Sequence, residues 1–299
     1  MKVTMLGTAA ALPDPDRGHS SILVTVDDEQ HYLLDCGAGA TRQMLRAHVD
    51  PADVNVVLFT HLHFDHIADF PFFALSSWIC NRESKPIVLG PPKTEHFINS
   101  LFEGGAFDTD IVARAQFPGR GATMEMIRPD VRTVRPGLVY EDDYVKIFAD
   151  YVNHIPQEIC ECFAYRVESK LDGKSVVFSG DTSPLDSMVE FAKDADLLIH
   201  ECTFPQEALD YREEIGIGTA SHTSPGELGK IATKANVKNL VATHFSTFDT
   251  TNPVVKKFVG MHMPIEMVGP GLIDSIVRDI RKHYDGSLRM AHDLMRIDV

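Results

Sequence analysis

The stretch Thr60-His61-Leu62-His63-Phe64-Asp65-His66 places three imidazoles and one carboxylate within six residues. It directly follows residues 54–59, an apolar and β-branched run that predicts a buried strand. Buried imidazole and carboxylate groups need partners that offset the loss of their hydration. Nitrogen and oxygen ligands without a thiolate suit zinc, with iron or manganese as the alternative occupants. The stretch therefore predicts a metal site of the catalytic kind at the edge of a sheet.

The composition is that of a globular protein, with 44% hydrophobic and 24% charged residues in 299. No apolar run reaches the roughly 18 residues that a membrane span requires, so no membrane partner is expected. The five cysteines form no regular framework, which favours a reducing, cytoplasmic location. Cys160 and Cys162 are the one close pair, and their spacing puts both thiols on one face of a strand, where ordinary packing explains them.

The charge balance bears on the choice of partner. The chain has 28 Lys and Arg against 43 Asp and Glu, a net charge of −15. Proteins that bind nucleic acid neutralise several phosphates with basic side chains. The acidic balance and the lack of a long basic run therefore disfavour a long polyanionic substrate.

Two β-rich blocks organise the chain. The first has predicted strands at residues 3–6, 21–26, 32–35, 54–59 and 87–89, and a helix at 40–47 with Met44 and Leu45 on its inner side. The second has predicted strands at residues 145–153, 162–168, 175–179, 197–199, 240–243 and 288–298, and helices at 184–193, 225–235 and 272–283. Two such blocks with helices outside predict an α/β fold, a four-layer αββα sandwich. The final strand is expected to pair back into the second sheet.

Further polar residues occupy equivalent places along the chain. Each of them ends an apolar strand and precedes a turn, and they are Asp35, His154, Asp181 and His244. One His-rich run cannot complete a hydrolytic centre, so these four are candidate ligands or ligand supports. Asp35 has an alternative role as a turn cap before Gly37.

The chain resembles the metallo-β-lactamase superfamily, and within it the tRNase Z-like branch. The resemblance covers nearly the whole chain and is carried by five motifs, which are His61-x-His63-x-Asp65-His66, Ser179-Gly-Asp181-Thr, His200-Glu201-Cys-Thr-Phe, Ser221-His222-Thr-Ser and Thr243-His244-Phe-Ser. It implies one metallo-β-lactamase domain over residues 1–299. An insertion at about 93–135 would then lie near the mouth of the active site.

The resemblance also implies how the site works. Two Zn²⁺ ions, with Mn²⁺ or Fe²⁺ as alternatives, would be held by His61, His63 and His154 and by Asp65, His66 and His244. Asp181 would bridge the ions, and Asp35 would orient ligand imidazoles from the second layer. Asp65 would position the attacking hydroxide, and His222, backed by Glu201, would protonate the leaving group. His222 has an alternative role as a cap, because Ser224-Pro225 is typical of a helix start.

The chain departs from the tRNase Z pattern in three places. Two strands and a tight turn fill the segment between His154 and Asp181, which leaves no room for the family's long tRNA-gripping arm. The family's Arg-Asn is replaced by Arg17-Gly18, and its terminal Arg-Tyr by Phe248-Asp249. Together with the acidic charge, these departures predict a small-molecule substrate and no nucleic-acid partner.

The predicted function is therefore a dinuclear zinc hydrolase. Its substrate would be a small, aromatic or uncharged phosphodiester, sulfate ester, lactone or aryl halide, selected by residues 67–135. One alternative is a tRNA 3′-processing endonuclease. An alternative of another class is an iron-dependent redox enzyme similar to persulfide dioxygenases. The sequence leaves open whether the chain forms a homodimer.

Overall fold

The first of two sheets carries the His-rich loop. The computed structural model describes residues 1–102, 104–216, 221–246, 251–261, 264 and 271–299. The strands of the first sheet are β1 (Lys2–Gly7), β2 (Ser21–Val26), β3 (Gln30–Leu34), β4 (Val54–Leu58), β5 (Ile87–Gly90), β6 (Asp130–Thr133) and β14 (Arg296–Asp298). They lie in the order β14-β1-β2-β3-β4-β5-β6. Pairing is parallel from β3 to β6 and antiparallel from β14 to β3.

The second sheet repeats this arrangement. Its strands are β7 (Gly137–Glu141), β8 (Val145–Val152), β9 (Cys162–Ser169), β10 (Ser175–Phe178), β11 (Leu197–Glu201), β12 (Asn239–Thr243) and β13 (Ser287–Met290). They lie in the order β13-β12-β11-β10-β9-β8-β7. Pairing is parallel from β10 to β13 and antiparallel from β7 to β10. Each sheet therefore joins a parallel half to an antiparallel half.

Helices cover the outer faces of the sheets. They are α1 (Ala40–Arg46), α2 (Phe64–Ile67), α3 (Phe70–Ile79), α4 (Thr94–Phe102), α5 (Asp108–Ala115), α6 (Asp186–Phe191), α7 (Gln206–Glu214), α8 (Pro225–Lys234), α9 (Pro253–Val259) and α10 (Gly271–Arg281). In the described part of the chain, no helix is both long and apolar enough to cross a bilayer.

The side chains of the first sheet alternate between two cores. On β2, Ile22 and Val24 belong to the core that contains the second-sheet residue Val176, whereas Leu23 belongs to a core with Met44 of α1 and other residues of the outer helices. Successive residues of a strand point to opposite faces, so both faces of this sheet are buried. The prediction of an α/β fold with two stacked sheets and outer helices is confirmed.

The predicted final strand at residues 288–298 is wrong. The segment divides into β13, which pairs with β12 in the second sheet, and β14, which pairs with β1 in the first. Leu294 between them has a left-handed backbone, with φ of 63°. An L-residue in that region cannot continue a strand, so the chain crosses there from one sheet to the other.

One further expectation needs correction. Leu45 does not face inward as Met44 does, because its side chain is 63% exposed. Within residues 93–135, which were predicted as an insertion, β6 pairs with β5 and extends the first sheet. The helical part of this segment packs on the outer side, where Ile98, Phe102 and Ile127 join the core that contains Trp78 of α3.

Candidate metal centre

The His-rich loop begins where β4 ends. Leu58 is the last residue of β4, and residues 59–63 lead into α2, a single helical turn that contains Asp65 and His66. His63 has an extended backbone just before this turn. The change from extended chain to helix within a few residues turns all four polar side chains toward one side of the loop.

Three imidazoles converge in the first group of candidate ligands. Nε2 of His61 lies 3.0 Å from Nδ1 of His63, and Nε2 of His154 lies 3.1 Å from the same atom. His154 follows β8 and so comes from the second sheet. The other nitrogen of His154, Nδ1, donates to the carbonyl oxygen of Ser221 at 2.9 Å. Nε2 of His154 is therefore left as an electron-pair donor.

The second group brings Asp65 and His66 against His244. Oδ2 of Asp65 is 3.6 Å from Nε2 of His66 and 3.3 Å from Nε2 of His244. The two imidazole nitrogens are 3.3 Å apart. All three residues are buried, so their polar atoms have little access to water.

Asp181 lies between the two groups. Its Oδ1 is 3.5 Å from Nε2 of His66 and 3.4 Å from Nε2 of His244. Its Oδ2 is 3.5 Å from Nε2 of His154. One carboxylate oxygen thus faces each group.

A glycine allows Asp181 to reach this position. Gly180, which follows β10, has a left-handed backbone with φ of 57°. A Cβ at this residue would lie 2.9 Å from Cβ of Thr60, on the His-rich loop. Because of that contact, only glycine lets the end of β10 approach the loop of the other sheet so closely.

Asp35 orients the candidate ligands of the first sheet through hydrogen bonds. Its Oδ2 accepts from Nδ1 of His66 at 2.7 Å, and its Oδ1 accepts from the backbone N–H of Thr60 at 2.8 Å. The Thr60 hydroxyl donates to Asp35 and lies 3.0 Å from Nδ1 of His61. These bonds leave Nε2 of both His61 and His66 facing the cluster. Asp35 is fully buried, bonds directly to the imidazole of His66 and reaches that of His61 through Thr60.

Glu201 supports the second sheet's residues in the same way. Its Oε1 accepts from Nδ1 of His222 at 2.9 Å, and its Oε2 accepts from the Thr203 hydroxyl at 2.9 Å. The Thr203 oxygen in turn lies 2.9 Å from Nδ1 of His244. Glu201 therefore orients both His222 and, through Thr203, a candidate ligand. Sequence reasoning missed Thr203, although it stands in the quoted motif after Glu201.

Electrostatics fit a cation in this cluster. Burial lowers the pKa of His61 far below its ordinary value, so the ring is a neutral electron-pair donor. Burial alone would raise the pKa of Asp65, but its hydrogen bond to His244 and the charge of His66 hold it below the usual range. Asp181 also has a lowered pKa because its imidazole neighbours outweigh burial. Burial lowers the pKa of His66, but the charges of Asp181 and Asp35 raise it well above the ordinary value, so this ring carries a proton among the carboxylates. Side chains bind metal as neutral imidazoles and ionised carboxylates, so a metal ion bound here would take the place of that proton.

The distances also suit a metal. With Zn–N bonds of about 2.0–2.1 Å, tetrahedral geometry places ligand nitrogens about 3.3 Å apart. The nitrogens of the first group, at 3.0 and 3.1 Å, and those of His66 and His244, at 3.3 Å, are close to this spacing. At this range a cation or a shared proton between the nitrogens offsets the repulsion of their electron pairs. The described residues therefore form a metal-binding cluster.

The structure brings all the predicted site residues together. Every residue that sequence reasoning proposed as a ligand lies in one of the clusters of potential metal ligands, and Glu201 and His222 lie beside them. His200 remains apart, with Nδ1 bonded to the carbonyl oxygen of Glu201. Burial lowers the pKa of His222, but the charge of Glu201 and its hydrogen bond raise it to about 9.

A pocket of about 310 Å³ opens over the cluster. Its floor includes His63, Asp65, His154, Asp181, His222 and His244, and its walls include Ala10, Ala11, Leu12, Phe204, Arg212 and Val259. Residues 67–135, which were expected to select the substrate, contribute none of the described lining residues. Phe70, Phe73 and Trp78 are instead fully buried in the outer core. Sequence reasoning missed Phe204 and Arg212, for which the chain gives no local ligand pattern.

The three departures from the tRNase Z pattern have different structural settings. Strands β9 and β10, joined through Gly173, fill the segment between His154 and Asp181, as predicted. Arg17 bonds to the Thr8 hydroxyl at 2.7 Å and to the carbonyl oxygen of Ala291 at 2.8 Å, which makes it a structural residue. Phe248-Asp249 lies outside the described residues.

Comparisons with known proteins agree with this geometry. The family described as "Anti-Pycsar protein Apyc1" matches residues 1–211. Ribonuclease Z of Mycobacterium bovis (strain BCG / Pasteur 1173P2) is 30% identical over 313 residues, which cover 100% of this chain and 98% of that protein.

Solved structures share the fold. The metallo-β-lactamase fold protein YhfI from Bacillus subtilis is similar with a TM-score of 0.70 and 20% identity, covering 99% of this chain and 98% of that one. The short form of human tRNase Z is similar with a TM-score of 0.69 and 23% identity, covering 100% and 99%. These likenesses confirm the four-layer metallo-β-lactamase architecture.

The relatives contradict the predicted partners. A small-molecule substrate and the exclusion of nucleic acid were expected, but a relative that matches the chain from end to end is named a ribonuclease. The error has a physical source. A net charge of −15 is summed over the whole surface, whereas a phosphodiester is engaged at one site, where bound cations and nearby groups set the local potential.

The activity class and the family follow from these findings together. Full-length similarity to ribonuclease Z and a complete set of ligand positions make the chain a metal-dependent hydrolase. The match over residues 1–211 and the 30% identity to ribonuclease Z each span most of the chain. The chain belongs to the family described as anti-Pycsar protein Apyc1, in the tRNase Z-like branch of the metallo-β-lactamase superfamily.

Proposed function

We propose that the chain is a ribonuclease Z-type phosphodiesterase that cleaves RNA at the 3′ end of a tRNA precursor. The observation that carries this proposal is the 30% identity to a ribonuclease Z over 100% of this chain and 98% of that protein. No domain of that relative lies outside the match, so the similarity extends over both the cluster and the pocket walls.

The proposed cofactor is a pair of zinc ions. One would be held by His61, His63 and His154, and the other by Asp65, His66 and His244, with one oxygen of Asp181 toward each. When bound, such ions supply a nucleophilic water near neutral pH and stabilise negative charge on phosphate oxygens. The spacing of the nitrogen atoms and the absence of a thiolate in the cluster favour zinc.

The protein's own residues then divide the work. Asp65 is buried at the pocket floor with an ionised carboxylate, which suits it to accept a hydrogen bond from the attacking water. His222 lines the same pocket, and its Nδ1 is occupied by Glu201. Its Nε2 is therefore the atom that would protonate the departing ribose oxygen. Glu201 acts by holding the ring in that orientation.

The direct test is cleavage of an RNA with a known end. Zinc-loaded protein would be incubated with a tRNA precursor that carries a 3′ trailer, with the mature tRNA and with an unrelated stem-loop RNA. We expect one cut at the trailer junction, no cut in the other RNAs, and no activity in Asp181→Ala. Asp186→Ala, an exposed carboxylate outside the cluster, is the matched control and should cleave normally.

Two results would overturn the proposal. Hydrolysis of bis-p-nitrophenyl phosphate with the precursor left intact would retain a phosphodiesterase but remove tRNA as its substrate. One iron per chain, with oxygen uptake on a persulfide and no hydrolysis, would move the chain to the redox class.

A further inference from the structure

One wall of the pocket contains an arginine with an unsatisfied donor. Arg212 of α7 lines the pocket, and its Nε is buried without a hydrogen-bond partner among the residues that the structure describes. Its guanidinium carbon lies 4.7 Å from the centre of the Phe204 ring, on which it stacks. Among the described residues, no carboxylate forms an ion pair with it. A buried donor without an acceptor is costly, so such a group calls for an explanation.

Two other arginines of this chain, one buried and one partly buried, have hydrogen-bond acceptors. Arg82 donates to the carbonyl oxygens of Pro51 at 2.7 Å and Val54 at 2.8 Å. Arg120 also stacks on an aromatic ring, that of Trp78 at 5.3 Å, but it donates to the carbonyl oxygen of Trp78. Arg212 differs from both because it lines the pocket and its Nε finds no acceptor within the described part of the chain.

Arg212 lies on the same side of the pocket as His222, the proposed proton donor to the leaving group. The Phe204 ring packs edge-on against the His222 ring, with 5.8 Å between centroids and an interplanar angle of 79°. Arg212, Phe204 and His222 therefore form one side of the pocket, with the guanidinium carbon 4.7 Å and the His222 ring 5.8 Å from the centre of the same Phe204 ring. Among the described lining residues, Arg212 is also the only lysine or arginine.

We propose that Arg212, held flat on Phe204, binds the neighbouring phosphate of the nucleotide that carries the leaving oxygen. This inference rests on the proposed function. The contact would favour substrates that carry a second phosphate next to the one that is cleaved, as a polynucleotide does. The planar fork of a guanidinium matches two phosphate oxygens, and stacking fixes its plane in advance. The guanidinium would also supply a positive charge for RNA binding at the active site of a chain whose net charge is −15.

The test combines a protein change with a substrate change. The dinucleotide ApA would be compared with pApA and ApAp, which carry a terminal phosphate on one nucleotide or the other. The products identify which nucleotide leaves. In the wild type, the phosphate on the leaving nucleotide should raise kcat/KM by about 10- to 100-fold, since hydrogen bonds to charged groups are worth that much. Arg212→Gln should remove this gain, so that kcat/KM for the substrate with that phosphate falls to the value for ApA in the same variant.

Two further variants sharpen the result. Arg212→Lys keeps a point charge without the fork and should retain part of the gain. Arg120→Gln, which alters a stacked arginine outside the pocket, should retain all of it. An equal loss on all three substrates in Arg212→Gln would show that Arg212 only positions His222, and would overturn phosphate binding.

The failure of this inference differs from that of the proposed function. A wild type that cleaves the tRNA precursor, and whose preference for the terminal phosphate survives in Arg212→Gln, overturns the inference alone. A wild type that hydrolyses bis-p-nitrophenyl phosphate but no RNA and no dinucleotide overturns the proposed function, and this inference with it.

Discussion

The two sheets contribute to one cluster in different ways. The first sheet supplies four candidate ligands from a single loop after β4, within residues 61–66. The second sheet supplies His154, Asp181 and His244 from the ends of three separate strands, β8, β10 and β12. The first contribution is a local pattern that can be read along the chain. The second exists only because three strand ends meet at one sheet edge.

In both sheets, a residue with a left-handed backbone directly follows a strand and carries a polar side chain of the cluster. Asp35 directly follows β3, and His244 directly follows β12, and their φ angles are 59° and 60°. Left-handed backbone at a residue other than glycine costs of order 1–3 kcal/mol and tends to occur at functional sites. In each sheet the turn aims a polar side chain at the cluster at the point where the strand stops.

The largest expected effect tests whether the two contributions form one centre. Asp181 faces both ligand groups, whereas His63 belongs to the first alone. Asp181→Ala should abolish cleavage and weaken binding of both metals, while His63→Ala should chiefly weaken one. Metal content after dialysis, measured with RNA cleavage, distinguishes them. Full retention of both metals in Asp181→Ala would show that the groups bind independently.

The next effect isolates the proton donor of the second sheet. His222→Ala should reduce cleavage of RNA by about 10²- to 10⁴-fold, the usual contribution of general acid catalysis. The loss should be far smaller on bis-p-nitrophenyl phosphate, because p-nitrophenolate departs without a proton. The ratio of kcat/KM for the two substrates measures this. His96→Ala, an exposed histidine on α4, is the control. Equal losses on both substrates would contradict the role.

A smaller effect compares the supports under the two sheets. Asp35→Asn weakens the acceptor for His66, and Thr203→Val removes the one for His244. Each should weaken metal affinity by about 10- to 100-fold, as is usual for the partners of ligand imidazoles. Competition with a zinc chelator gives the dissociation constants. If only Asp35→Asn had an effect, the first sheet would be the sole determinant of metal affinity.

The smallest effect concerns a contact that links the sheets away from the site. The N-terminal ammonium of Met1, beside β1, lies 3.0 Å from Oδ2 of Asp172 in the turn between β9 and β10. Slight burial raises the pKa of Asp172, but hydrogen bonds from Ser169 and from the N-terminus lower it to about 2. Asp172→Asn should therefore reduce the free energy of unfolding at pH 7 by about 0.5 kcal/mol or less, because the side chain is 40% exposed.

The sign of its pH dependence follows from the lowered pKa. The contribution is fully present above the unfolded pKa of about 3.9 and is lost as the pH falls toward 2. Urea unfolding of both proteins at pH 7, 5 and 3 should therefore show the difference shrinking at pH 3. A difference that grows on acidification would contradict the ion pair.

Features that depend on neighbouring residues in the sequence could be predicted, whereas features that depend on contacts between distant residues could not. Asp35, His154, Asp181 and His244 could be found because each ends an apolar strand, a position visible along the chain. Leu45 was misplaced because hydrophobicity alone does not tell which helical positions face the core. The last strand was predicted wrongly because Leu294 has a left-handed backbone. A sequence usually signals such a turn with glycine, and a leucine gives no such signal.

The sequence by itself determined the two-sheet fold and which side chains are candidate metal ligands, because alternating burial and strand-end polar residues are local patterns. Only the tertiary structure decided which groups share a hydrogen bond, how Thr203 joins Glu201 to His244, and that Arg212 and Phe204 form the pocket wall beside His222. Such contacts join residues from different strands and helices, and their distances are fixed by packing of the elements that carry them.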